Sequence, residues 1–480
     1  MKDYQKLAEI QQDLSTGLLR CSDLVDLYLE RIDSTRHLNL FVEVFADEAR
    51  RRAAEVDQKL AAGTAGKLAG LVIGLKDVLC YQGHTLTAGS GVLKGFRSLF
   101  TATAVNRLLA EDAIVIGRQN CDEFAMGSST ETSIYGPAHN PLDPARVTGG
   151  SSGASAAAVS AGLCHAALGS DTGGSVRQPA SFCGVIGVKP TYGRVSRWGL
   201  IAYASSFDQI GPITRSVEDA ARILEVMAGK DEYDNTSSSQ PVPSYFDALQ
   251  TPQAPATIGY IRDAVESPGL DPEIRAATFQ LLEKLREEGH TVKAFDFPLM
   301  AYVVPCYYVL TTAEASSNLS RFDGVHYGYR AQADGDLETL YVKSRTEGFG
   351  PEVRKRIMLG SFVLSSGYYD AYYTQAMKVR RLIREKTEEI LTQCDYLVLP
   401  TAPTPAFRLG EKTDDPVEMY LSDIYTVHAN LAGVPAISVP AGIHSSGLPF
   451  GIQLMGKRFD EAGMLRLASK IHSQNFLQVM

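Results

Sequence analysis

The chain has 480 residues, of which 45% are hydrophobic and 21% are charged, the composition of an ordinary globular protein. Its formal net charge of −9 argues against a surface that itself neutralises nucleic-acid phosphates, so a nucleic-acid substrate would need a partner to hold it. The sequence contains no run of about 18 uncharged apolar residues, the length that a membrane-spanning helix needs. The polar opening MKDYQKLAEIQQDL lacks the apolar core of a secretory signal.

The cysteine and histidine residues show no metal-binding pattern. None of the seven cysteines forms a CxxC pair, and the nine histidines include no HExxH motif. We therefore predict no metal site, and we expect a protein of a reducing cytoplasm. The chain also lacks a P-loop and a GxGxxG motif, so we predict that it binds no ATP itself.

Patterns of strand and helix alternate through the first part of the chain. A helix is predicted to begin at Ser22, a suitable N-cap before apolar residues at helical spacing. Apolar runs at 68–79 and 113–120 predict buried strands, and the stretch 101–112 between them predicts a helix. Strand, helix and strand in this order indicate an α/β fold.

The same alternation continues to the end of the chain. Further helices are predicted from Ala154, over 216–228, 273–288 and 461–472, and in a tyrosine-rich region at about 300–385. Further strands are predicted at 165–171, 184–190, 257–263, 396–400, 436–441 and 450–456. The polar and proline-rich stretch 231–256 predicts a long surface connection.

Two segments rich in glycine and serine are candidates for chemistry. The first, GGSSGAS at 149–155, runs directly into alanines of high helix propensity, so we predict a rigid loop at a helix N-terminus. The second, GSDTGGSVRQPA at 169–180, follows a predicted strand. Its Gly-Gly-Ser turn can aim successive backbone N–H groups at an oxyanion and present Ser175 as a nucleophile. A tight turn with no chemical role is the simpler alternative.

A serine nucleophile needs a base, and neither segment contains a histidine. No GxSxG motif surrounds Ser175, and His165 lies in an apolar run that favours a packed side chain. Lys76 interrupts the apolar run GLVIGLKDVL, where burial would lower its pKa and leave a neutral amine to act as the base. The alternative is a lysine that reaches solvent or pairs with Asp77. A serine of GGSSG can donate and accept a proton, so it would connect the base to the nucleophile.

The segments GLKDV, GGSSGAS and GSDTGGSVRQPA resemble the three catalytic segments of the amidase signature enzymes. The three candidate residues lie at matching spacings of 75 and 24 residues. This resemblance implies an α/β fold with a large mixed, mostly parallel twisted sheet covered by helices on both faces, in a single domain over 1–480. It also implies the following roles: Ser175 as nucleophile, Ser151 after a cis peptide as bridging serine, Lys76 as base, and Thr172, Gly173 and Gly174 in the oxyanion hole.

Longer blocks resemble one branch of this family, the glutaminase subunits of tRNA-dependent amidotransferases. The blocks include CDEFAMGSSTETSIYGPAHNP and IMLGSFVLSSGYYDAYY. The resemblance implies that the chain hydrolyses glutamine within a heterotrimer and passes ammonia to a partner subunit. That partner would use ATP and magnesium to amidate glutamate carried by a tRNA, which it would hold itself.

The resemblance also implies which residues bind glutamine. Free glutamine carries an α-carboxylate and an α-ammonium group, each suited to a charge-assisted hydrogen bond. Arg356 corresponds to the carboxylate-binding residue and Asp423 to the ammonium-binding residue, with Tyr307 nearby. Arg354 is the alternative, because the family commonly has two adjacent arginines where this chain has Lys355 and Arg356.

Two other functions stay open on the sequence: a stand-alone amidase for a different carboxamide, and a non-catalytic protein that kept the fold. The chain also departs from the family pattern in two places. Ala154 replaces a common glycine of the serine loop, which requires ordinary helical backbone angles there. The stretch 81–96 differs from the more frequent version that contains threonine and cysteine.

Overall fold

The computed structural model describes residues 2–332, 335–412 and 416–473. In that part of the chain the strands are β1 (Phe41–Val44), β2 (Val72–Lys76), β3 (Ile114–Gln119), β4 (His139–Asn140), β5 (Asp143–Val147), β6 (Ala166–Asp171), β7 (Ile186–Lys189), β8 (Gln209–Thr214), β9 (Thr257–Ile261), β10 (Thr291–Phe295), β11 (Tyr396–Pro400), β12 (Ala436–Ile443) and β13 (Pro449–Gly456).

The α-helices of the same residues are α1 (Leu7–Ser15), α2 (Cys21–Ser34), α3 (Ala46–Ala61), α4 (Thr103–Ala110), α5 (Gly153–Ser160), α6 (Arg177–Cys183), α7 (Val217–Met227), α8 (Tyr245–Leu249), α9 (Arg262–Val265), α10 (Pro272–Glu287), α11 (Met300–Leu319), α12 (Leu337–Gly348), α13 (Pro351–Val363), α14 (Gln375–Gln393), α15 (Pro416–Leu421), α16 (Val427–Ala432) and α17 (Glu461–Ser473). A π-helical turn over Tyr369–Thr374 precedes α14.

Eleven of the described strands form one continuous sheet in the order β1-β3-β2-β6-β8-β7-β12-β13-β11-β9-β10. Parallel pairing occurs near the two ends, among β3, β2 and β6 and among β11, β9 and β10. The strands between these groups pair antiparallel, and so does β1 at the edge. The predicted large mixed α/β sheet with covering helices is confirmed, but six of its ten strand pairings are antiparallel, so parallel pairing is concentrated near its two ends.

The strands that position the candidate site are buried along their whole length. Every residue of β2, β3 and β6 is buried, as expected of parallel strands with helices on both sides. Strands β2 and β6 run parallel with Leu75 opposite Leu168. Their carboxyl ends therefore meet at one edge of the sheet, which places Lys76 beside Ser170 and the second glycine- and serine-rich segment.

The predicted N-cap at Ser22 is wrong. Helix α2 begins at Cys21, and Ser22 lies in its first turn. The Asp57 carboxylate accepts hydrogen bonds from the amides of Cys21 and Ser22 at 2.6 and 3.1 Å, because a carboxylate can satisfy the same free N–H groups as a serine cap. The helix predicted over 216–228 is observed as α7, and Ser216 is its N-cap: Ser216 Oγ accepts from the Asp219 amide at 3.1 Å.

Several elements were missed by the sequence patterns, among them β1, β8, β10 and α3. Strand β8 contains Pro212, and proline inside a central strand normally argues against a strand. Strands β1 and β10 lie at the two edges of the sheet and are only partly buried, so they lack a strong apolar pattern. The connection 231–256 contains the short helix α8, whose Tyr245 is fully buried.

Candidate active site

Lys76 lies at the end of β2 with no exposed surface. Its Nζ donates to Ser151 Oγ at 2.7 Å and to Ser170 Oγ at 2.9 Å. Burial lowers the pKa of Lys76 to about 8, although the nearby carboxylates of Asp122 and Asp171 favour its charged form. The amine therefore contacts the serine predicted to bridge it, and a tenth or so of it is neutral at about pH 7.

The loop that carries Ser151 leads directly into a helix, as predicted. The Gly150–Ser151 peptide is cis, and α5 begins at Gly153. The Gly150 amide donates to Gln178 Oε1 at 2.9 Å, and a Cβ on Gly150 would lie 2.2 Å from Asp122 Oδ2. Glycine at this position therefore lets the loop pack directly against its neighbours.

Ser175 lies next to this loop and is 8% exposed. The Ser152 amide donates to the Ser175 carbonyl oxygen at 3.1 Å, which joins the two serine segments through their backbones. Among the described residues, no hydrogen bond links Ser151 Oγ to Ser175 Oγ. The contact between the base and the bridging serine is thus present, and proton transfer from Ser175 to Ser151 stays a prediction.

The free amides of the Gly-Gly-Ser turn differ at one position from the set that the resemblance implies. The amides of Thr172, Gly173 and Ser175 have no acceptor in the described part of the chain. The Gly174 amide, in contrast, donates a hydrogen bond to Asp171 Oδ1 at 2.8 Å and so already has an acceptor. Gly174 has φ +126, and a Cβ there would lie 2.2 Å from Thr426 Oγ1, which explains the need for glycine.

A buried ion pair between Asp171 and Arg177 stabilises this turn. Arg177 Nε and Nη2 donate to the two carboxylate oxygens of Asp171, each at 3.0 Å. Other guanidinium N–H groups donate to Gln453 Oε1 at 2.9 Å and to Asn430 Oδ1 at 2.7 Å. Burial would raise the pKa of Asp171, but the Arg177 charge lowers it to about 2. The ion pair connects the strand, the turn and α6, so it is a structural support for Ser175.

We expect Asp171→Asn to lower the free energy of unfolding by about 3 to 5 kcal/mol, because it leaves the Arg177 charge buried and uncompensated. Urea denaturation measures the change. The pKa of Asp171 is about 2 in the folded chain against an ordinary 3.8, so its contribution is complete above about pH 4 and is lost as the pH falls through about 2. Asp26→Asn is the control, since Asp26 forms an exposed pair with Arg50 worth less than about 1 kcal/mol. Equal small losses in both variants would contradict the prediction.

Arg356 points inward from α13 and is 3% exposed. Its Nη1 donates to the Tyr203 hydroxyl at 2.9 Å, and its Nε donates to Glu352 Oε1 at 2.8 Å. The guanidinium also lies 5.4 Å from the ring centre of Tyr308 and 5.5 Å from that of Tyr420. Three tyrosines and one carboxylate thus hold Arg356 in a fixed orientation.

Asp423 belongs to the same cluster. Its Oδ2 accepts a hydrogen bond from Ser128 Oγ at 2.6 Å and one from the Tyr308 hydroxyl at 3.3 Å. Burial raises the pKa of Asp423 to about 7, partly opposed by Ser128 and by the Arg356 charge. Because Tyr308 contacts both side chains, the structure places Arg356 and Asp423 in one buried cluster.

Tyr307 connects this cluster to the turn that carries Ser175. Its ring packs edge-on against Tyr308 with centroids 5.1 Å apart. A Cβ on Gly173 would lie 2.4 Å from the Tyr307 hydroxyl oxygen, so the hydroxyl abuts the turn. The alternative arginine, Arg354, is only half-buried and faces Glu123. The structure therefore favours Arg356 over Arg354 for the carboxylate-binding role.

Sequence reasoning missed several residues that hold the site together. Ser170 accepts from Lys76, Ser128 donates to Asp423, and Tyr308 contacts both charged groups of the pocket. Ser170 and Ser128 lie in segments that resemble the family, but no motif or spacing distinguished them from the other serines there. Their contacts could therefore not be predicted from the sequence. Within the described residues no three His, Cys, Asp or Glu side chains are placed to bind a metal ion, and no helix is long and apolar enough to cross a membrane.

Comparison with known proteins agrees with this geometry. The family model described as Amidase matches residues 23–465. The glutamyl-tRNA(Gln) amidotransferase A subunit of Salinibacter ruber is 49% identical, over 98% of this chain and 99% of that protein. The crystal structure of the corresponding A subunit from Thermotoga maritima is 40% identical with a TM-score of 0.78, and the match covers 94% of this chain and 91% of that one.

A solved peptide amidase from Stenotrophomonas maltophilia is 30% identical with a TM-score of 0.82, over 98% of this chain and 96% of that one. The fold is therefore shared by an enzyme named for a different activity. Since the family model and these relatives match nearly the whole length, and the three signature segments meet around Lys76, the chain belongs to the amidase family.

Proposed function

We propose that this chain is the glutaminase component, the A subunit, of a glutamyl-tRNA(Gln) amidotransferase. The observation that carries the proposal is the pairing of Arg356 and Asp423 through Tyr308, beside the turn that bears Ser175. An opposite pair of buried charges suits the α-carboxylate and α-ammonium of free glutamine, and it suits a neutral amide poorly. The names of the two amidotransferase relatives support the same assignment.

In the proposed reaction Ser175 Oγ attacks the side-chain amide carbon of glutamine. Its proton passes through Ser151 to the neutral amine of Lys76, which burial keeps partly uncharged. The free amides of Thr172, Gly173 and Ser175 donate to the tetrahedral oxyanion.

Collapse of this intermediate breaks the carbon–nitrogen bond. The proton returns from Lys76 through Ser151 to the departing nitrogen, which leaves as ammonia, and a glutamyl ester of Ser175 remains. A water molecule activated by the same relay then attacks the ester carbon and releases glutamate and the free serine hydroxyl.

The proposal includes two partners, the amidotransferase subunits B and C, in a cytoplasmic heterotrimer. The B partner would hold the tRNA, because the net charge of −9 disfavours nucleic-acid binding by this chain, and it would bind ATP and magnesium, because this chain has no P-loop. The described chain would contribute no cofactor of its own. Its product, ammonia, would travel to the partner and amidate Glu-tRNA(Gln) to Gln-tRNA(Gln).

Reconstitution tests the proposal. We expect the chain combined with subunits B and C to convert Glu-tRNA(Gln) to Gln-tRNA(Gln) with glutamine and ATP, with one glutamate released for each amidation. The isolated chain should hydrolyse aliphatic and aryl amides poorly. Fast hydrolysis of those amides by the isolated chain, with no activity in the complex, would identify a stand-alone amidase. Failure of a glutamine analogue to label Ser175 in the complex would instead indicate a non-catalytic protein.

A further inference from the structure

A short segment, Glu123–Ser128, contacts one residue of the proposed glutamine site directly and also contacts the start of the helix that carries another. Near its end, Ser128 Oγ donates to Asp423, the candidate ammonium-binding residue, at 2.6 Å. At its start, Glu123 contacts the first residues of α13, the helix that carries Arg356. No role in the proposed reaction has been assigned to Glu123.

The Glu123 carboxylate is 1% exposed and bonds directly to the start of α13. Its Oε1 and Oε2 accept the Gly350 amide at 3.0 and 2.9 Å, and Ser90 Oγ also donates to Oε1. Gly350 is the N-cap of α13 and has no side chain to cap the helix. A Cβ at Gly350 would lie 2.4 Å from Glu123 Oε2, so glycine permits this close contact.

A second contact orients the same end of the helix. Phe124, which has a left-handed backbone with φ +49, places its ring 5.7 Å from that of Phe349, the residue before the N-cap. The Glu123 carboxylate also faces the positive charge of Arg354, one turn into the helix. A buried carboxylate at this position complements the helix dipole. The segment therefore determines both the position and the rotation of the first turn of α13.

Arg356 depends on that first turn. It lies six residues beyond Gly350, about 9 Å along the helix axis at 1.5 Å per residue. Glu352, in the first turn, accepts from Arg356 Nε at 2.8 Å and from the Tyr420 hydroxyl at 3.2 Å. A displacement of the helix start would therefore move the guanidinium relative to Asp423, and a shift of about 1 Å is enough to impair substrate positioning.

We propose that Glu123 is a positioning residue, which fixes α13 so that Arg356 faces Asp423 at the separation that the α-carboxylate and α-ammonium of glutamine require. Glu123 touches neither substrate nor reacting atoms and acts through α13. This inference rests on the proposed glutaminase function.

The test compares two substrates in the complex with subunits B and C. Glutamine uses both charged groups of the pocket, whereas 4-aminobutanamide keeps the amine and the amide but lacks the α-carboxylate that Arg356 would bind. We expect Glu123→Gln to raise KM for glutamine by about tenfold with kcat changed less than about twofold. Hydrolysis of 4-aminobutanamide should change less than about twofold. A merely structural loss would reduce both substrates equally.

Two further variants make the result specific. In an Arg356→Gln background, adding Glu123→Gln should have no further effect on glutamine, because both changes remove one function. Gly350→Ala is a second test that does not depend on the folding of Glu123→Gln: it should also raise KM for glutamine and spare 4-aminobutanamide, since its Cβ would displace the Glu123 carboxylate. Glu131→Gln is the control, because this half-buried glutamate accepts from the Gly410 amide at 2.8 Å, away from α13.

The decisive quantity is kcat/KM for glutamine divided by kcat/KM for 4-aminobutanamide. If the wild-type complex hydrolyses glutamine and Glu123→Gln leaves this ratio unchanged, the positioning role of Glu123 is overturned but the proposed function is not. Equal losses on both substrates would do the same. Absence of glutamine hydrolysis by the wild-type complex would overturn the proposed function, and the positioning role with it.

Discussion

Ser175→Ala is expected to abolish glutamine hydrolysis, lowering kcat by at least about 10⁴-fold. The hydroxyl supplies the bond that forms to the amide carbon, and no neighbouring group can replace it. The Thr172 and Gly173 amides would stay in place, so glutamine should still bind with a similar Kd. Release of glutamate by the complex measures turnover, and the missing adduct with a glutamine analogue confirms the loss of the nucleophile by mass spectrometry.

Two controls distinguish loss of the nucleophile from loss of the folded structure. The Ser175→Ala complex should still amidate Glu-tRNA(Gln) when an ammonium salt replaces glutamine, because the partner site is intact. Ser155→Ala should retain near-normal glutaminase activity, since Ser155 is also fully buried but its Oγ has no hydrogen-bond partner in the described chain. Glutamine turnover above about 1% of wild type in Ser175→Ala would rule out the proposed nucleophile.

Lys76→Met is expected to lower the rate of Ser175 acylation by about 10³-fold or more, because it removes the base that receives the serine proton. The pKa of Lys76 is about 8, and only the neutral amine accepts a proton. The acylation rate of the wild-type chain should therefore rise about tenfold per pH unit below about 8 and level off above it. Labelling of Ser175 by an uncharged sulfonyl fluoride measures this rate, and it avoids the separate titration of Asp423 near pH 7.

Lys189→Met provides the matched control for losing a buried lysine. Lys189 is also buried, but its Nζ donates to the Val434 and Pro190 carbonyl oxygens at 2.6 and 2.9 Å, and within the described residues it forms no hydrogen bond with Ser151 or Ser175. The folded Lys189→Met chain should show the wild-type pH dependence of Ser175 labelling, even if the substitution lowers its free energy of unfolding. A Lys76→Met chain that is folded and still labels with the wild-type pH profile would exclude Lys76 as the base.

The catalytic candidates could be predicted because each lies in a contiguous segment with a recognisable chemical pattern. A lysine inside an apolar run signals a buried amine, and a Gly-Gly-Ser turn after a strand signals backbone donors. The parallel strands β2 and β6 then bring Lys76 beside Ser170. The role of the Gly174 amide in the oxyanion hole stays a prediction, and the sequence gives no sign that the Asp171 carboxylate accepts a hydrogen bond from that amide.

The choice between Arg354 and Arg356 illustrates what sequence could not resolve. Residues two apart on a helix point to nearly opposite sides, and α13 has no clear apolar face because both of its sides carry large apolar residues. Packing against the tyrosines of other elements turns Arg356 inward and leaves Arg354 half-buried near Glu123.

The sequence by itself determined the family, the mixed α/β class and the three residues proposed for catalysis, because local motifs and strand periodicity encode them over short stretches. Only the tertiary structure decided how the proposed glutamine-binding cluster is assembled. Its members Ser128, Tyr308, Arg356 and Asp423 span almost 300 residues of chain and touch through side chains. Contacts at such separations arise from packing of whole elements in the buried core, which no local pattern records.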